Sequence, residues 1–425
     1  MLDIRFIREN SDAVKTAVAR KKFVVDIDEL LSVDERKREL GAKIEQLRSE
    51  RNTVSASIPK LDGPNKAAAI ERGRTLRTDI SSLEDEGRTL DMRFEQLMLK
   101  VPGIPVEGVP DGDTDADNLE IRQVGERPTW SFEPKDHVAL CESLDIADFS
   151  RAAKFAGGRA YLLKGAGAML EYAITRFAMD HLITKGFTPV VAPLLVNEKA
   201  MFGTGFFPLG TEDTYSLDRD GLYLVGTSEV PLVSIHREEI LDGAQLPIRY
   251  AGWSTCYRRE AGNYGRDTRG LYRVHQFQKI EQVSILPADA EESEKEHFRL
   301  LNNSEELLQA LGIPYRVALA CTRELGLGQV RKHEIESWMP SREAYCETHS
   351  CSTLHDFQAR RSSMRYRPAP GEKPKFCHTL NNTAVASPRI LIPLLELNQQ
   401  ADGSVVVPEA LQPYMNGLTV LEPKR

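Results

Sequence analysis

Apolar side chains between Val33 and Ile58 recur at Val33, Leu40, Ile44, Leu47, Val54 and Ile58, in steps of three, four or seven. Steps of that size line up on one face of a helix, so the segment predicts a long helix with a heptad seam. A second seam runs through Ala69, Leu76, Ile80, Leu83, Leu90, Phe94, Leu97 and Val101. Between the seams, Pro59-Lys60-Leu61-Asp62-Gly63-Pro64-Asn65 breaks a helix and is too short to do more than reverse the chain. The two helices are therefore expected to pack antiparallel. At about 28 residues each they would form a thin hairpin roughly 40 Å long.

The pattern changes after the second seam. Val101-Pro102-Gly103-Ile104-Pro105 opens a stretch rich in Pro, Gly and Asp that runs to Asn118, and such composition reads as a connector. This divides the chain into an N-terminal domain over 1–105, a linker over 106–118 and one larger domain over 119–425. In the larger domain Ala168 to Lys185 has amphipathic helical spacing, and Gly186 to Pro193 reads as a turn and a strand. Strand-like runs follow at Leu222–Val225, Ala251–Arg259, Leu271–Ser284, Ala344–Glu347 and Thr379–Ala386. Helical periodicity fits Asp289–Leu311 and Ile390–Gln400. Strands joined by long hairpin loops, with no regular alternation of crossover helices, favour an α+β fold: a mixed, mostly antiparallel sheet with helices packed on it.

Composition adds limits. A length of 425 residues with 41% hydrophobic and 28% charged side chains fits two folded domains and argues against general disorder. The charged N-terminus, Met1-Leu2-Asp3-Ile4-Arg5, and the lack of any apolar run near the ~18 residues that span a bilayer predict a cytoplasmic protein with no membrane partner. Six cysteines lie scattered along the chain. Only Cys346 and Cys351 are close, with no second pair beside them, so reduced, buried thiols are expected and zinc is not. The net charge is −8, yet Arg48 to Arg77 holds seven basic residues against three acidic ones. Basic side chains at the tip of an extended hairpin would attract a phosphate backbone. Arg48, Arg51, Lys66, Arg72, Arg74 and Arg77 are the candidate contacts. A solvated coiled-coil surface or a dimerisation arm accounts for the same composition.

The densest chemistry lies between Tyr257 and Val283. Arg258 and Glu260 share one face of the first strand, and Arg273, Phe277 and Glu281 share a face of the next, at steps of roughly 13 Å. Guanidinium, ring and carboxylate on one surface suit a nucleotide whose base lies against the ring and whose phosphates meet arginines, beside an amine-bearing substrate. A solvated hairpin with surface ion pairs is the alternative. No phosphate loop of the G-x-x-x-x-G-K-[ST] kind and no dinucleotide fingerprint occurs, so ATP would have to be held another way. His275 invites a general-base role, but a structural hydrogen bond is the plainer expectation.

Three segments resemble the motifs of class II aminoacyl-tRNA synthetases: Gly186–Pro193, Tyr257-Arg258-Arg259-Glu260, and Ala384-Val385-Ala386-Ser387-Pro388-Arg389. Thr227-Ser228-Glu229, the run Glu260 to Gly270, Ser350-Cys351-Ser352 and Asp356 to Arg361 are similar to the seryl-tRNA synthetase branch, and the resemblance extends to the helical hairpin. It implies a serine–tRNA ligase (AMP-forming) that uses ATP with Mg²⁺, takes L-serine and serine tRNA, and works as a homodimer built on the first motif. Selenocysteine tRNA stays open as a second acceptor.

Carried over by position, the resemblance implies ATP contacts at Arg258, Arg259, Glu260, Arg273, Val274, Phe277, Glu347, Thr348, His349, Ser350 and Arg389. Glu347 and Ser350 would hold Mg²⁺ with the phosphates, and Arg258 and Arg389 would be catalytic. Serine would meet Thr227, Ser228, Glu229, Arg258, Glu281, Asn381 and Thr383. Ser387 at an N-cap and Pro388 at the first helical position predict a sound helix start for Arg389, while Pro393 should kink that helix. Glu347 and Ser350 lie three apart, on opposite faces of a flat strand, so their joint role requires a bend. A related ligase acting on a carrier protein would share the sheet but lack the hairpin. An RNA-binding paralogue without activity would have a broken ATP site.

Overall fold

The computed structural model describes residues 1–261, 267 and 269–424. Much of the Gly- and Arg-rich run, Gly262 to Arg266 and Thr268, lies outside the described residues. Met1–Pro102 form one compact unit and Gly103–Arg425 another.

The first unit is helical. Its two long helices are α1 (Ile27–Ser57) and α2 (Gly63–Met98), packed side by side. Asp26 starts α1 by accepting the Glu29 amide at 2.9 Å, the N-cap bond that satisfies a free donor of the first turn. This cap lies seven residues before Val33, where the predicted helix starts. Ile27 and Leu30, ahead of the first seam residue, are buried together with Ile7, Val14 and Ala17 of the short helices Ile4–Glu9 and Ser11–Arg20. The seams are where the sequence put them. Leu40, Leu76, Ile80 and Leu97 are buried, while Ile44, Leu47, Leu83 and Leu90 are half-covered, because two helices alone leave each seam flanked by water.

The second unit is built on an eight-stranded sheet. Its strands in chain order are β1 (Leu119–Val124), β2 (Thr188–Val190), β3 (Ile248–Tyr257), β4 (Gln276–Leu286), β5 (Tyr315–Leu319), β6 (Arg331–Met339), β7 (Ala344–His355) and β8 (His378–Ala386). In space they run β1-β5-β6-β7-β8-β4-β3-β2. All neighbours are antiparallel except β2 on β3, which is parallel. Helices α3 (Ala166–Thr184), α5 (Ala290–Ala310) and α7 (Ser387–Leu397) contribute Ile174, Leu300 and Ile390 to a core with Ile280, Ile335 and Leu380 of the strands. A second core joins Val283 and Ile285 to Leu232 of α4 (Glu229–Ser234) and Ala359 of α6 (Phe357–Ser362). This is the mostly antiparallel sheet with packed helices that the strand spacing predicted.

The boundaries needed correction in three places. The run expected as strand from 271 begins only at Gln276, so Arg273 approaches from a loop. The preceding strand ends at Tyr257, which leaves Arg258 and Glu260 beyond it. Asp213 takes the chain there, its carbonyl accepting the Arg259 amide at 3.0 Å and its carboxylate the Ala261 amide at 2.9 Å. Glu260 between them adopts φ +54°, a left-handed conformation that costs a side-chain-bearing residue free energy. The strand expected over 344–347 continues to His355.

Candidate active site

Two β-bulges shape the open part of the sheet. Opposite Ile335 and Glu336, β7 supplies His349 and Glu347, so Thr348 is an extra residue in the ladder. Opposite Ile280 and Glu281, β8 supplies Val385 and Thr383, so Ala384 is extra there. An added residue reverses the alternation of faces beyond it. Glu347 and Ser350 can thus face the same cavity although they are three apart, and both line it. The required bend is present. His349 ties the two bulges together: Nδ1 meets the Thr348 hydroxyl at 2.8 Å and Nε2 the Ala384 carbonyl at 3.1 Å. Burial lowers its pKa to about 4, so the imidazole is neutral near pH 7 and Nε2 carries the proton for Ala384.

The cavity comprises about 860 Å³, including its open mouth. At one end Arg389 reaches in from the first turn of α7. Its guanidinium bonds the Glu347 carboxylate at 3.0 Å, the Glu347 carbonyl at 3.1 Å and, through Nε, the Tyr272 carbonyl at 3.2 Å, and it lies 4.7 Å over the Tyr272 ring. Burial works to raise the Glu347 pKa, but Arg389, Lys332 and Arg258 outweigh it and hold the carboxyl below its ordinary value. Arg258 is anchored by the Gly226 carbonyl at 3.4 Å and lies 5.2 Å over the Phe277 ring. Arg273 bonds Glu260 at 3.3 Å and Asp267 at 3.2 Å. His275 stays out of the cavity. Its Nδ1 meets the Arg258 carbonyl at 3.0 Å while its own carbonyl accepts the Arg258 amide at 2.9 Å, which fixes the backbone that aims Arg258.

At the other end, alternation along β4 turns Phe277, Lys279 and Glu281 to the cavity. Lys279 is buried, paired with Glu281, and donates to the Thr227 hydroxyl at 2.7 Å. Glu229, at the start of α4, accepts on Oε1 from Gln358 at 2.7 Å and from Asn381 at 2.8 Å. Burial first, and Glu281 second, push its pKa up to about 7.

One cavity therefore holds a cationic, aromatic end and an acidic, hydroxyl-bearing end. A family model described as the seryl-tRNA synthetase N-terminal domain matches residues 1–105, and one described as the class II tRNA synthetase core domain (G, H, P, S and T) matches residues 214–398. Serine–tRNA ligase of Deinococcus radiodurans is 47% identical over 421 residues, covering 99% of each chain. The chain belongs to the seryl-tRNA synthetase family. The same enzyme of Clostridium tetani is 42% identical over 428 residues, 99% of this chain and 100% of that one. In fold, seryl-tRNA synthetase of Pyrococcus horikoshii, solved as a complex with ATP, matches over 100% of both chains with a TM-score of 0.93 and 38% identity.

Most residues that the seryl-tRNA synthetase resemblance singled out converge on this cavity. Arg258, Glu260, Arg273, Val274, Phe277, Glu347, Thr348, His349, Ser350 and Arg389 line it together with Thr227, Glu229, Glu281, Asn381 and Thr383. Arg259 and Ser228 are not among the lining residues. Arg259 is held by its amide on Asp213, and Ser228 is buried with its hydroxyl 3.5 Å from the Gly252 carbonyl. A Cβ at Gly252 would stand 2.6 Å from that hydroxyl, so this glycine makes room for the loop that carries Thr227 and Glu229. Lys279 was missed, although its parity with Phe277 and Glu281 was open to view. Tyr272 and Gln358 were missed as well. Gln358 lies in the segment Asp356 to Arg361 that the resemblance covers, but nothing local assigns it a role, because its partner Glu229 is 129 residues away.

The helix start also differs from expectation. Ala386 is the N-cap, and Ser387 is the first helical residue, its hydroxyl bonded to Glu171. The helix runs through Pro393 to Leu397. Its last turn is anchored by Glu396, which accepts from the His137 amide at 2.9 Å, the Ser341 amide at 2.9 Å and the Ser341 hydroxyl at 2.7 Å. All six cysteines are free. Cys346 is only half-buried, against the expectation of buried thiols throughout.

Proposed function

We propose that this chain activates L-serine with ATP and transfers it to the 3′ end of serine tRNA. The observation that carries this reading is the meeting of the two halves of the cavity at Arg258, whose guanidinium can serve both a phosphate and a carboxylate. Triphosphate oxygens would lie at the cationic end, near Arg273 and Arg389, with the base against Phe277. The serine ammonium and hydroxyl would occupy the end formed by Thr227, Glu229, Glu281, Asn381 and Thr383.

The serine carboxylate then attacks the α-phosphorus in line and pyrophosphate leaves, giving seryl-adenylate. A ribose hydroxyl of the terminal adenosine attacks the carbonyl, and AMP leaves. Neither step needs a protein nucleophile. The protein's contribution is alignment plus neutralisation of charge by Arg258 and Arg389 in a site they already occupy. Glu260 and Arg273 are bonded to one another, so a nucleotide has to compete with that pair for both groups.

Mg²⁺ fits the same arrangement. Glu347 offers an ionised carboxylate and Ser350 a hydroxyl on the same side. Among the described residues no group of three or more His, Cys, Asp or Glu could hold a metal ion alone. A magnesium ion that takes one carboxylate and fills its shell with phosphate oxygens and water suits so sparse a set, and it would neutralise charge on the leaving pyrophosphate.

Selectivity for serine follows from desolvation. Alanine would leave buried groups without the hydroxyl they are arranged to meet, and unmade buried hydrogen bonds discriminate strongly.

The hairpin is the reading's tRNA contact. Arg48 is paired with Glu45 and Glu84, Arg72 with Glu50 and Arg74 with Glu71, whereas Arg51, Lys66 and Arg77 have no carboxylate partner among the described residues. A homodimer in the cytoplasm completes the proposal. Support for the dimer comes from Val191 of the first motif, which is 86% exposed, and from Phe155 and Tyr172 elsewhere in the same unit, which are 76% and 63% exposed, apolar surface of the kind that a second copy would cover. No described helix is long and apolar enough to cross a membrane.

Pyrophosphate exchange with each of the twenty amino acids, on the full chain and on one lacking residues 31–100, tests the reading. Serine-dependent exchange in both, with tRNA charging only in the full chain, is expected. Exchange driven by another amino acid defeats it, and a 47.7 kDa particle in light scattering defeats the dimer.

A further inference from the structure

The serine end of the cavity is unbalanced in charge. Glu229 and Glu281 both face it, and Lys279 is the ammonium beside them, committed to Glu281 and to the Thr227 hydroxyl. Glu229 has one oxygen saturated. Gln358 and Asn381 both donate to Oε1, and Oε2 has no hydrogen-bond partner among the described residues. A buried carboxylate whose second oxygen meets no donor, next to another carboxylate, is costly in its charged form.

The groups around it do not remove the imbalance. From β4 come Lys279 and Glu281, and from the end of β3 Arg258, which is held at the Gly226 carbonyl. The Cys256 thiol of β3 is kept neutral by burial. Helix α6 offers the neutral Gln358, while its Arg360 is paired with Asp356 and its Arg361 bonds the Phe202 and Phe207 carbonyls.

We propose that serine binding expels a proton from Glu229, the substrate ammonium replacing that proton as the partner of the second carboxylate oxygen. This rests on the placement of the serine ammonium given above. The O–H bond of the Glu229 carboxylic acid breaks, its proton passes to the buffer, and N–H donors of the substrate take its place; no electrons move. The free carboxyl, raised to about 7, is about half protonated at pH 7, so roughly half a proton is released per serine bound there. Release grows as pH falls towards 6 and fades above 8. Substrate chemistry is restricted at the same time: an amino acid whose nitrogen is acylated brings no charge to balance Glu229 and is excluded by more than its bulk.

Calorimetric titration of the full chain with L-serine at pH 7, in phosphate and in Tris, reads the proton directly. The apparent enthalpies should differ by about half the difference between the two buffers' ionisation enthalpies, and Glu229→Gln should bind more weakly with no buffer dependence. If that variant fails to fold or bind, the wild-type KM for serine in pyrophosphate exchange still decides. It should rise roughly tenfold from pH 8 to pH 6, with the KM for ATP unchanged. Serine heat that is the same in every buffer, or a serine KM flat across that range, overturns the proposal. Absence of serine binding altogether, with ATP still bound, overturns the substrate reading instead.

Discussion

The helical hairpin and the cavity of the second unit use the same ionic side chains to opposite ends. In the hairpin, Arg48 and Glu84 are 45% and 38% exposed and bridge two neighbouring helices. In the cavity, Lys279 and Glu281 are 6% and 2% exposed. Exposed pairs gain little because water and salt screen them, whereas a buried pair leaves a naked charge when one partner is lost. Charge in the hairpin is therefore free to be offered to a partner, while charge in the cavity is fixed in place before any substrate arrives.

The sharpest test of that contrast is catalytic. Arg389→Ala should lower kcat for serine-dependent pyrophosphate exchange on the order of a thousandfold, as loss of a group already aimed at developing charge does. A drop of less than tenfold would mean that its bonds to Glu347 and Tyr272 are only structural. Next comes Lys279→Met, which strands Glu281 beside Glu229 and should cost on the order of 3 kcal/mol in urea unfolding. Glu84→Gln in the hairpin, measured in the same way, should cost less than about 1 kcal/mol. Equal effects would erase the distinction between the two regions.

A buried histidine pair behind the sheet extends the comparison to pH. His297 Nε2 and His333 Nδ1 stand 2.7 Å apart. Burial lowers the His333 pKa to about 4 and that of His297 well below its ordinary 6.5. The unfolded chain therefore binds protons that the folded chain refuses between those values, so stability is full above pH 6.5 and lost as pH falls towards 4. By pH 5 each such histidine should cost about 2 kcal/mol. Urea unfolding at pH 7 and pH 5 should show the loss, and His333→Asn should make it smaller. The mildest effects belong to the hairpin. Replacing Arg51, Lys66 and Arg77 by Ala should leave serine exchange alone and flatten the log–log salt dependence of tRNA binding by roughly 0.8 per residue removed. An unchanged salt slope would place the tRNA backbone elsewhere.

The two regions also differ in how much of them could be read beforehand. Both seams of the hairpin fell at Leu40, Leu76, Ile80 and Leu97 as their spacing required, since a helix packs residues three and four apart and its partner is the next segment of chain. In the sheet, strand identity was legible from β-branched and alternating runs, but strand ends were not. Arg258 and Glu260 look like strand residues until Asp213, far earlier in the chain, captures the amide of Arg259 and ends the ladder.

Sequence alone thus determined the helical hairpin, the antiparallel sheet and the residue types of the cavity, because each is encoded in neighbours along the chain or in a motif that keeps its spacing. Tertiary structure decided which of those residues meet. The bulges at Thr348 and Ala384 exist only through pairing with β6 and β4, and the one at Thr348 brings Glu347 and Ser350 to one side. Gln358 and Asn381 converge on a single oxygen of Glu229 from separate elements, and the protonation of that carboxyl depends on the burial they help create. Desolvation is a property of the packed interior, set by everything around a group at once, so no reading of local pattern could supply it.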